Sequence, residues 1–259
     1  MNPTETYVEP KQVDPLDQTE RLKTMYKKIA ALPPEDRVIV SKALDRYLAE
    51  ALKGTYKAEP GALVQLITAN KLLESSDLVV DLGAGPGDLL REIASLYPNI
   101  PMCGIDISPG FVENFNQSDR PANASMDVGL IDSPLTDADV RSTENASVIS
   151  VLTLDRMVNP KILIENMARF GKAKILAALL PNVPFDDNPS RQDEGKKIIY
   201  TREPNRIVPG KTIAEDRDVL RRVLKDVWKK PVEIDETKYV VSSSGDRQEY
   251  DLSVFYTKN

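Results

Sequence analysis

The chain has 259 residues, of which 41% are hydrophobic and 29% are charged, and it carries a formal net charge of −6. Such a composition is typical of a globular protein with one large or two small domains, and its acidity argues against a large nucleic-acid-binding face. The single cysteine, Cys103, excludes an internal disulfide and a cysteine-rich zinc site, and the absence of histidine excludes Ser-His-Asp catalysis, histidine-ligated metals and a histidine base.

The first part of the chain, residues 1–75, predicts an irregular arm followed by a helical cap. Apolar residues recur at three- and four-residue spacing over 19–32, and two prolines end that pattern. A second helix is expected over 34–53 and a third from about Pro60. The leading residues lack the apolar core of a signal peptide, and no apolar run approaches the ~20 residues of a membrane span. We therefore expect a cytoplasmic protein without membrane attachment.

From residue 76 onward, strand-like and helix-like segments alternate, which predicts a mostly parallel sheet covered by helices on both faces. The expected strands are LVVDLG, MCGIDI, SVISVLTL and AKILAALL, and the helices between them are DLLREIASLY, GFVENFNQ and NPKILIENMARF. Residues 182–211 are rich in prolines and charges and predict a long loop or lid. An amphipathic helix over 212–230 and an antiparallel hairpin follow, so 76–259 is expected to form one structural unit with the cap.

The stretch LVVDLGAGPGD, residues 78–88, is a glycine-rich turn after a buried strand. A phosphate-binding loop needs GxxxxGK[ST], and neither the lysine nor the hydroxyl follows here. A dinucleotide site prefers G-x-G-x-x-G, whereas the glycines here are spaced G-x-G-x-G. The carboxylate of Asp81 is unfavourable beside a polyphosphate and suits a ligand that carries an ammonium and a sulfonium charge.

These residues resemble motif I of the class I S-adenosylmethionine-dependent methyltransferases, in which an acid precedes G-x-G-x-G. The resemblance continues in GIDI, similar to the second acidic motif, in SMDV, similar to the third, and in VISVLTLDR, similar to the fourth strand. It covers residues 75–181 and the final helix and hairpin, but neither the helical N-terminus nor 182–211. It implies an α/β fold with a Rossmann-like doubly wound sheet, mostly parallel, with a C-terminal antiparallel hairpin strand and a helical N-terminal layer.

The resemblance also implies the cofactor, S-adenosylmethionine, and the residues that bind it. These are Asp81, Gly83, Ala84, Gly85, Gly87, Asp106, Ile107, Asp127, Val128 and Leu152. The glycines would let the backbone pass close to the methionyl part. Asp81 would orient the loop and, through water, the amino group. Asp106 follows Gly83 by 23 residues, close to the spacing of about 20 at which such an acid reaches ribose hydroxyls, and Asp127 would accept from the adenine amino group.

Methyl transfer needs alignment more than a base, because the sulfonium already activates the carbon. Asp155, at the end of the fourth strand-like run, is a candidate base or ligand; the alternative is that it caps the next helix or pairs with Arg156. Pro181 and Asn182 stand where a second acid would complete a magnesium site, so no metal is expected. They also depart from the N/D-P-P-Y signature of amino-methylating nucleic-acid and protein-glutamine enzymes.

The acceptor pocket is expected between the cap and the long loop. Tyr26, Tyr47, Tyr56, Phe185 and Tyr200 are candidates to line it, although ordinary packing is the alternative for each tyrosine. We expect a small-molecule acceptor, with no nucleic-acid or membrane partner, and the sequence leaves a homodimer open. Two other functions stay open at this point: methylation of a macromolecular or carrier-bound substrate, and cofactor binding without methyl transfer.

Overall fold

The computed structural model is built on one eight-stranded sheet with helices on both of its faces. It describes residues 56–136, 145–154, 160–178, 213–243 and 246–258, together with the single positions 31, 140 and 157. The strands are β1 Tyr56–Glu59, β2 Leu78–Leu82, β3 Met102–Asp106, β4 Ala124–Val128, β5 Ala146–Val151, β6 Ala173–Ala178, β7 Glu233–Ser243 and β8 Asp246–Tyr256. The helices are α1 Gly61–Ala69, α2 Asp88–Leu96, α3 Pro109–Gln117, α4 Pro160–Phe170 and α5 Ile213–Trp228.

The strand order is β1-β7-β8-β6-β5-β2-β3-β4. Strands β2 to β6 are parallel, and β8 is antiparallel to both β6 and β7, so the predicted mixed sheet with a C-terminal hairpin is confirmed. Strand β2 has β3 on one side and β5 on the other. The chain therefore reverses its direction of winding at β2, and in such sheets ligands bind in the crevice beyond the carboxyl ends of the strands at this point.

Two hydrophobic clusters cover the two faces of the sheet. Helices α1, α2 and α3 pack on one face, which we call the α1–α3 face, and α4 and α5 pack on the other. All five residues of β2 are buried because helices cover both sides, which explains why its sequence is an almost unbroken apolar run. Val79 lies in the α1–α3 cluster and its neighbour Val80 in the other, so the alternation along β2 directs Asp81 to the α1–α3 face.

The strand β1 is absent from the sequence-based prediction, which passes from a helix ending near Lys53 to another starting at Pro60. In the structure, residues 56–59 pair antiparallel with the end of β7, from Tyr56 opposite Ser243 to Glu59 opposite Val240. Apart from the single position 31, the first two predicted helices and the 182–211 loop lie outside the described residues. The chain from 56 onward thus joins the sheet although it falls inside the predicted cap, and the division at residue 75 stays a prediction.

Lys174 is a buried charge on β6, with 3% of its surface exposed. Its Nζ donates to the carbonyl of Gly171 and lies 6.0 Å from the centroid of the Trp228 ring. Burial, and secondarily the charge of Lys230, lower the pKa of Lys174 from 10.5 to about 8. The folded protein therefore releases this proton at a lower pH than the unfolded chain does, and its stability rises with pH between about 8 and 10.5.

We expect Lys174→Met to remove this pH dependence. As the pH rises from about 7.5 to about 10, the wild-type protein should gain free energy of unfolding relative to the variant, measured by urea titration. Lys172→Met is the matched control, because Lys172 is exposed and only two residues away. Parallel stability profiles for the wild-type protein and Lys174→Met would contradict the expectation.

Candidate functional site

The glycine-rich loop connects the carboxyl end of β2 to the start of α2. The amides of Gly83 and Ala84 donate to the carbonyl oxygen of Ile105 at 2.7 and 3.2 Å, which anchors the loop to the end of β3. Gly83 has a φ of +80°, and a Cβ there would lie 2.6 Å from Cγ2 of Thr153. Only glycine satisfies both the backbone angle and the contact at this position.

Gly85 occupies the outermost part of the loop. Its φ is +57°, and a Cβ built on it meets nothing within 4 Å, so this side of the loop is open. Its amide donates to Oδ2 of Asp106 at 2.8 Å. The loop, which follows the carboxyl end of β2, therefore presents bare backbone on this open side.

Asp106 is the last residue of β3 and is held by backbone amides on both carboxylate oxygens. Oδ2 accepts from Gly85, and Oδ1 accepts from the amide of Ser108 at 2.8 Å. The residue is 6% exposed. A carboxylate oxygen has two lone pairs, so an oxygen that accepts one N–H can also accept a hydroxyl. This fixed orientation suits the predicted contact with ribose hydroxyls, which stays a prediction.

Asp81 lies on β2, on the same face as Asp106, and is 2% exposed. Its Oδ1 has no hydrogen-bond partner among the described residues. Burial, followed by the negative charge of Asp106, raises the pKa of Asp81 from 3.8 to about 7. A buried carboxyl oxygen without a partner is costly unless a ligand supplies one. Together with the open side of Gly85, it fits a cofactor that carries an ammonium group.

The apolar residues predicted to contact the cofactor lie on one side of the sheet. Val128 belongs to the hydrophobic cluster of the α1–α3 face, and Ala84, Ile107 and Leu152 are partly buried against it. Gly87 ends the loop with a φ of +82° and directly precedes α2. The structure thus gathers these residues on the face that carries Asp81 and Asp106.

Asp127 is the exception among the predicted cofactor residues. It precedes Val128 in β4, and side chains alternate along a strand, so it is directed to the opposite face. There its Oδ2 accepts from Sγ of Cys103 at 3.6 Å, and the residue is 2% exposed. The structure does not bring the Asp127 carboxylate together with those of Asp81 and Asp106, and its adenine contact stays a prediction.

The end of β5 is bound to the end of β2 by side chains that sequence reasoning did not single out. Ser150 donates its hydroxyl to the carbonyl of Leu82 at 2.8 Å, and Thr153 donates to that of Gly83 at 3.4 Å. Between them, Leu152 has a φ of +52°, an angle that costs a non-glycine residue about 1–2 kcal/mol. In the sequence, the only signal for these contacts is the presence of hydroxyl residues within the apolar run SVISVLTL.

Several predicted residues cannot be placed in the site. Tyr26, Tyr47, Asp155, Phe185 and Tyr200 lie outside the described residues, and for Tyr56 only the backbone, at the start of β1, is described. Within the described ranges, no group of three acidic or cysteine side chains is placed to hold a metal ion. In the same part of the chain, no helix has the length and apolar character needed to cross a membrane.

Comparisons with known proteins agree with this geometry. A family model described as a methyltransferase domain matches residues 73–212. An S-adenosylmethionine-dependent methyltransferase from Anabaena variabilis superposes with a TM-score of 0.51 at 12% identity, over 85% of this chain and 95% of that one. The methyltransferase domain of bacterial CtHen1-CN gives 0.50 at 11% identity, over 75% and 97%. These two similarities show a shared fold.

A third solved structure contains a ligand. The magnesium protoporphyrin IX methyltransferase of Synechocystis PCC 6803, with bound SAH, has 14% identity and a TM-score of 0.44, over 92% of this chain and 94% of that one. No curated protein matches the chain.

Proposed function

Since this chain belongs to the methyltransferase-domain family and is an S-adenosylmethionine-dependent methyltransferase, we propose that its methyl acceptor is a small molecule. When bound, the cofactor supplies a methyl group on a sulfonium, a carbon already activated for displacement. What the chain itself must supply is binding, orientation and exclusion of water. Net charge of −6 and the absence of an N/D-P-P-Y run at 181–182 favour a small acceptor over nucleic acid.

We assign the cofactor to the crevice between the glycine loop and the end of β3. Asp106 would accept hydrogen bonds from the ribose hydroxyls, and the open side of Gly85 would admit the methionyl part. Asp81 would face the ammonium group with its unpartnered oxygen. Ile107 and Val128 would offer apolar surface to the adenine. The buried, unpartnered oxygen of Asp81 supports this assignment most strongly, because the described residues give it no other function.

One hydrogen bond carries the proposal of a small acceptor. The amide of Ala58 in β1 donates to Oδ2 of Asp88 at 2.6 Å, and Asp88 is the first residue of α2, directly after the glycine loop. The chain before residue 56 therefore joins the described structure beside the cofactor loop. Strand β6 runs parallel to β2 through β5, so its last residue, Ala178, also lies at the carboxyl edge of the sheet.

Both segments predicted to line the pocket thus connect to the sheet at the cofactor's edge. Our proposal includes the sequence-based expectation that these two segments enclose the site, because an enclosed site excludes water and suits a small acceptor. A large acceptor would instead need an open approach to the methyl group. Since the chain has no histidine, any proton on the acceptor would leave to a lysine, tyrosine or carboxylate, or to water.

The test is to incubate the protein with cofactor labelled in its methyl group and three separate pools: small-molecule extract, protein and RNA. We expect label in the small-molecule pool, by scintillation counting after separation by size. At a cofactor concentration below the wild-type dissociation constant, Asp106→Ala should transfer about 100-fold less label and is the matched control. Label confined to the RNA or protein pool would contradict the proposal and support the macromolecular alternative. Label on a small group linked to a carrier protein would indicate a carrier-bound acceptor.

A further inference from the structure

Asp81 and Asp106 are neighbouring acids with different surroundings. Asp106 has a backbone N–H on each of its oxygens, which stabilises the carboxylate form. Asp81 has no partner for Oδ1 among the described residues, and both its burial and the charge of Asp106 oppose ionisation. Backbone donors therefore stabilise the Asp106 carboxylate, whereas no donor among the described residues does so for Oδ1 of Asp81.

The strands beside β2 give Asp81 no compensating cation. On β3 the charged neighbour is Asp106, which repels a second negative charge. Strand β5 contains no charged residue. The hydroxyls of Ser150 on β5 and of Thr153 just beyond it do not titrate in the physiological range, and they donate to the carbonyl oxygens of Leu82, Gly83 and Val151. Neither strand therefore stabilises an Asp81 carboxylate.

The helices on this face are engaged elsewhere. Helix α1 contains no charged residue. In α2, Asp88 accepts from Ala58, and Arg91 donates to the carbonyl of Pro86 while lying 4.3 Å from the ring centroid of Phe115. Glu92, the remaining charged residue of α2, is itself an acid, and so is the exposed Glu113, the one charged residue of α3. A cation that makes Asp81 ionise must therefore come from a ligand, as far as the described residues show.

We propose that in mildly acidic solution Asp81 is protonated in the free protein and loses its proton to solvent when the cofactor's ammonium group binds, so that cofactor binding releases one proton. The O–H bond of the Asp81 carboxyl group breaks, the electron pair stays on the carboxylate, and the proton goes to buffer. The positive charge of the ligand replaces that of the proton. This inference depends on the cofactor alone and is independent of the nature of the acceptor.

The coupling makes Asp81 a specificity-determining residue for the amino-acid part of the ligand. A nucleoside that lacks the ammonium group supplies no positive charge to stabilise the Asp81 carboxylate. It should therefore bind without proton release. S-adenosylhomocysteine and 5′-methylthioadenosine form the matched pair, because both contain the adenosine thioether and only the first has the amino-acid group. The pair separates the effect of the ammonium group from that of the nucleoside.

The affinity for the cofactor should fall as the pH falls, because the complex contains the ionised form of Asp81. Below the pKa of about 7, each lower pH unit should therefore weaken binding about tenfold. Above that pKa the affinity should be constant. The chain has no histidine, so few other groups can produce a proton exchange in this range. Lys174, with a pKa of about 8, lies on β6 at the edge away from the strands' carboxyl ends.

The experiment is isothermal titration calorimetry with S-adenosylhomocysteine in two buffers of different ionisation enthalpy. At about pH 6 we expect close to one proton released, falling toward zero at about pH 8. The dissociation constant should fall about tenfold between pH 5.5 and pH 6.5. 5′-Methylthioadenosine should show neither effect. A wild-type protein that binds S-adenosylhomocysteine at pH 6 without proton release would overturn the proposal.

Two variants test whether the proton released on binding comes from Asp81. Asp81→Asn should bind S-adenosylhomocysteine with an affinity independent of pH from 5.5 to 7.5 and release no proton. Asp119→Asn, which changes an exposed acid, should behave as the wild-type protein. Asp81→Asn that still releases a full proton would assign the release to another group and overturn the proposal. Should that variant fail to fold, the comparison of the two ligands on the wild-type protein still decides the question.

Discussion

Asp106→Ala is expected to weaken the binding of S-adenosylhomocysteine about 100-fold or more. The substitution removes a carboxylate placed to accept two ribose hydroxyls, and hydrogen bonds to a charged group contribute about 1.5–3 kcal/mol each. It also releases the amides of Gly85 and Ser108, which Asp106 holds at 2.8 Å, and so loosens the glycine loop. Calorimetry at about pH 8 measures the loss where Asp81 is already ionised, so the two acids are separated.

Two further variants sharpen the comparison. Asp106→Asn keeps one carbonyl oxygen as an acceptor and should lose less affinity than Asp106→Ala. Asp119→Ala removes an exposed acid and should bind as the wild-type protein. Circular dichroism establishes that each variant is folded before its affinity is compared. A folded Asp106→Ala that binds within tenfold of the wild-type protein would show that this carboxylate does not contact the ligand.

The central part of the fold was predictable because local signals agreed there. The apolar run of β2, the glycines after it and the amphipathic α2 all indicate a strand, a turn and a helix in that order, and the structure contains them at 78–82, 83–87 and 88–96. Strand β1 was not predictable in this way. Its four residues, YKAE, form a strand because β7 supplies an edge for them to pair with, and that partner lies far away in the chain.

The site was predictable in its chemistry and less so in its geometry. The resemblance to the family's motifs identified Asp81, Asp106 and Asp127 as acids near the ends of strands. Spacing does not show which face of the sheet each side chain occupies, and the structure turns Asp127 toward Cys103 on the opposite face. The left-handed backbone of Leu152 had no sequence signal, because leucine does not favour it. Tertiary contacts maintain it, among them its amide donating to the carbonyl of Ala177 at 3.0 Å.

The same added methyl group should mainly lower stability at Gly83 and mainly lower cofactor affinity at Gly85. Gly83→Ala is expected to lower the free energy of unfolding by about 2–4 kcal/mol, because the new Cβ meets Thr153 and the backbone is left-handed. Gly85→Ala has a similar backbone angle but no neighbour within 4 Å, so its stability cost should be about 1 kcal/mol. Its methyl group occupies the space assigned to the cofactor, and affinity for S-adenosylhomocysteine should fall at least about tenfold.

Urea unfolding and calorimetry on both variants separate the structural role from the binding role. The conflict at Gly83 involves side-chain atoms of Thr153, so the double variant Gly83→Ala, Thr153→Ala should recover part of the lost stability. The unrecovered part measures the cost of a left-handed alanine. Gly85→Ala with unchanged affinity would place the ligand away from this side of the loop. A Gly83→Ala variant as stable as Gly85→Ala would show that Thr153 moves aside freely, and that the contact between β2 and β5 does not fix the loop.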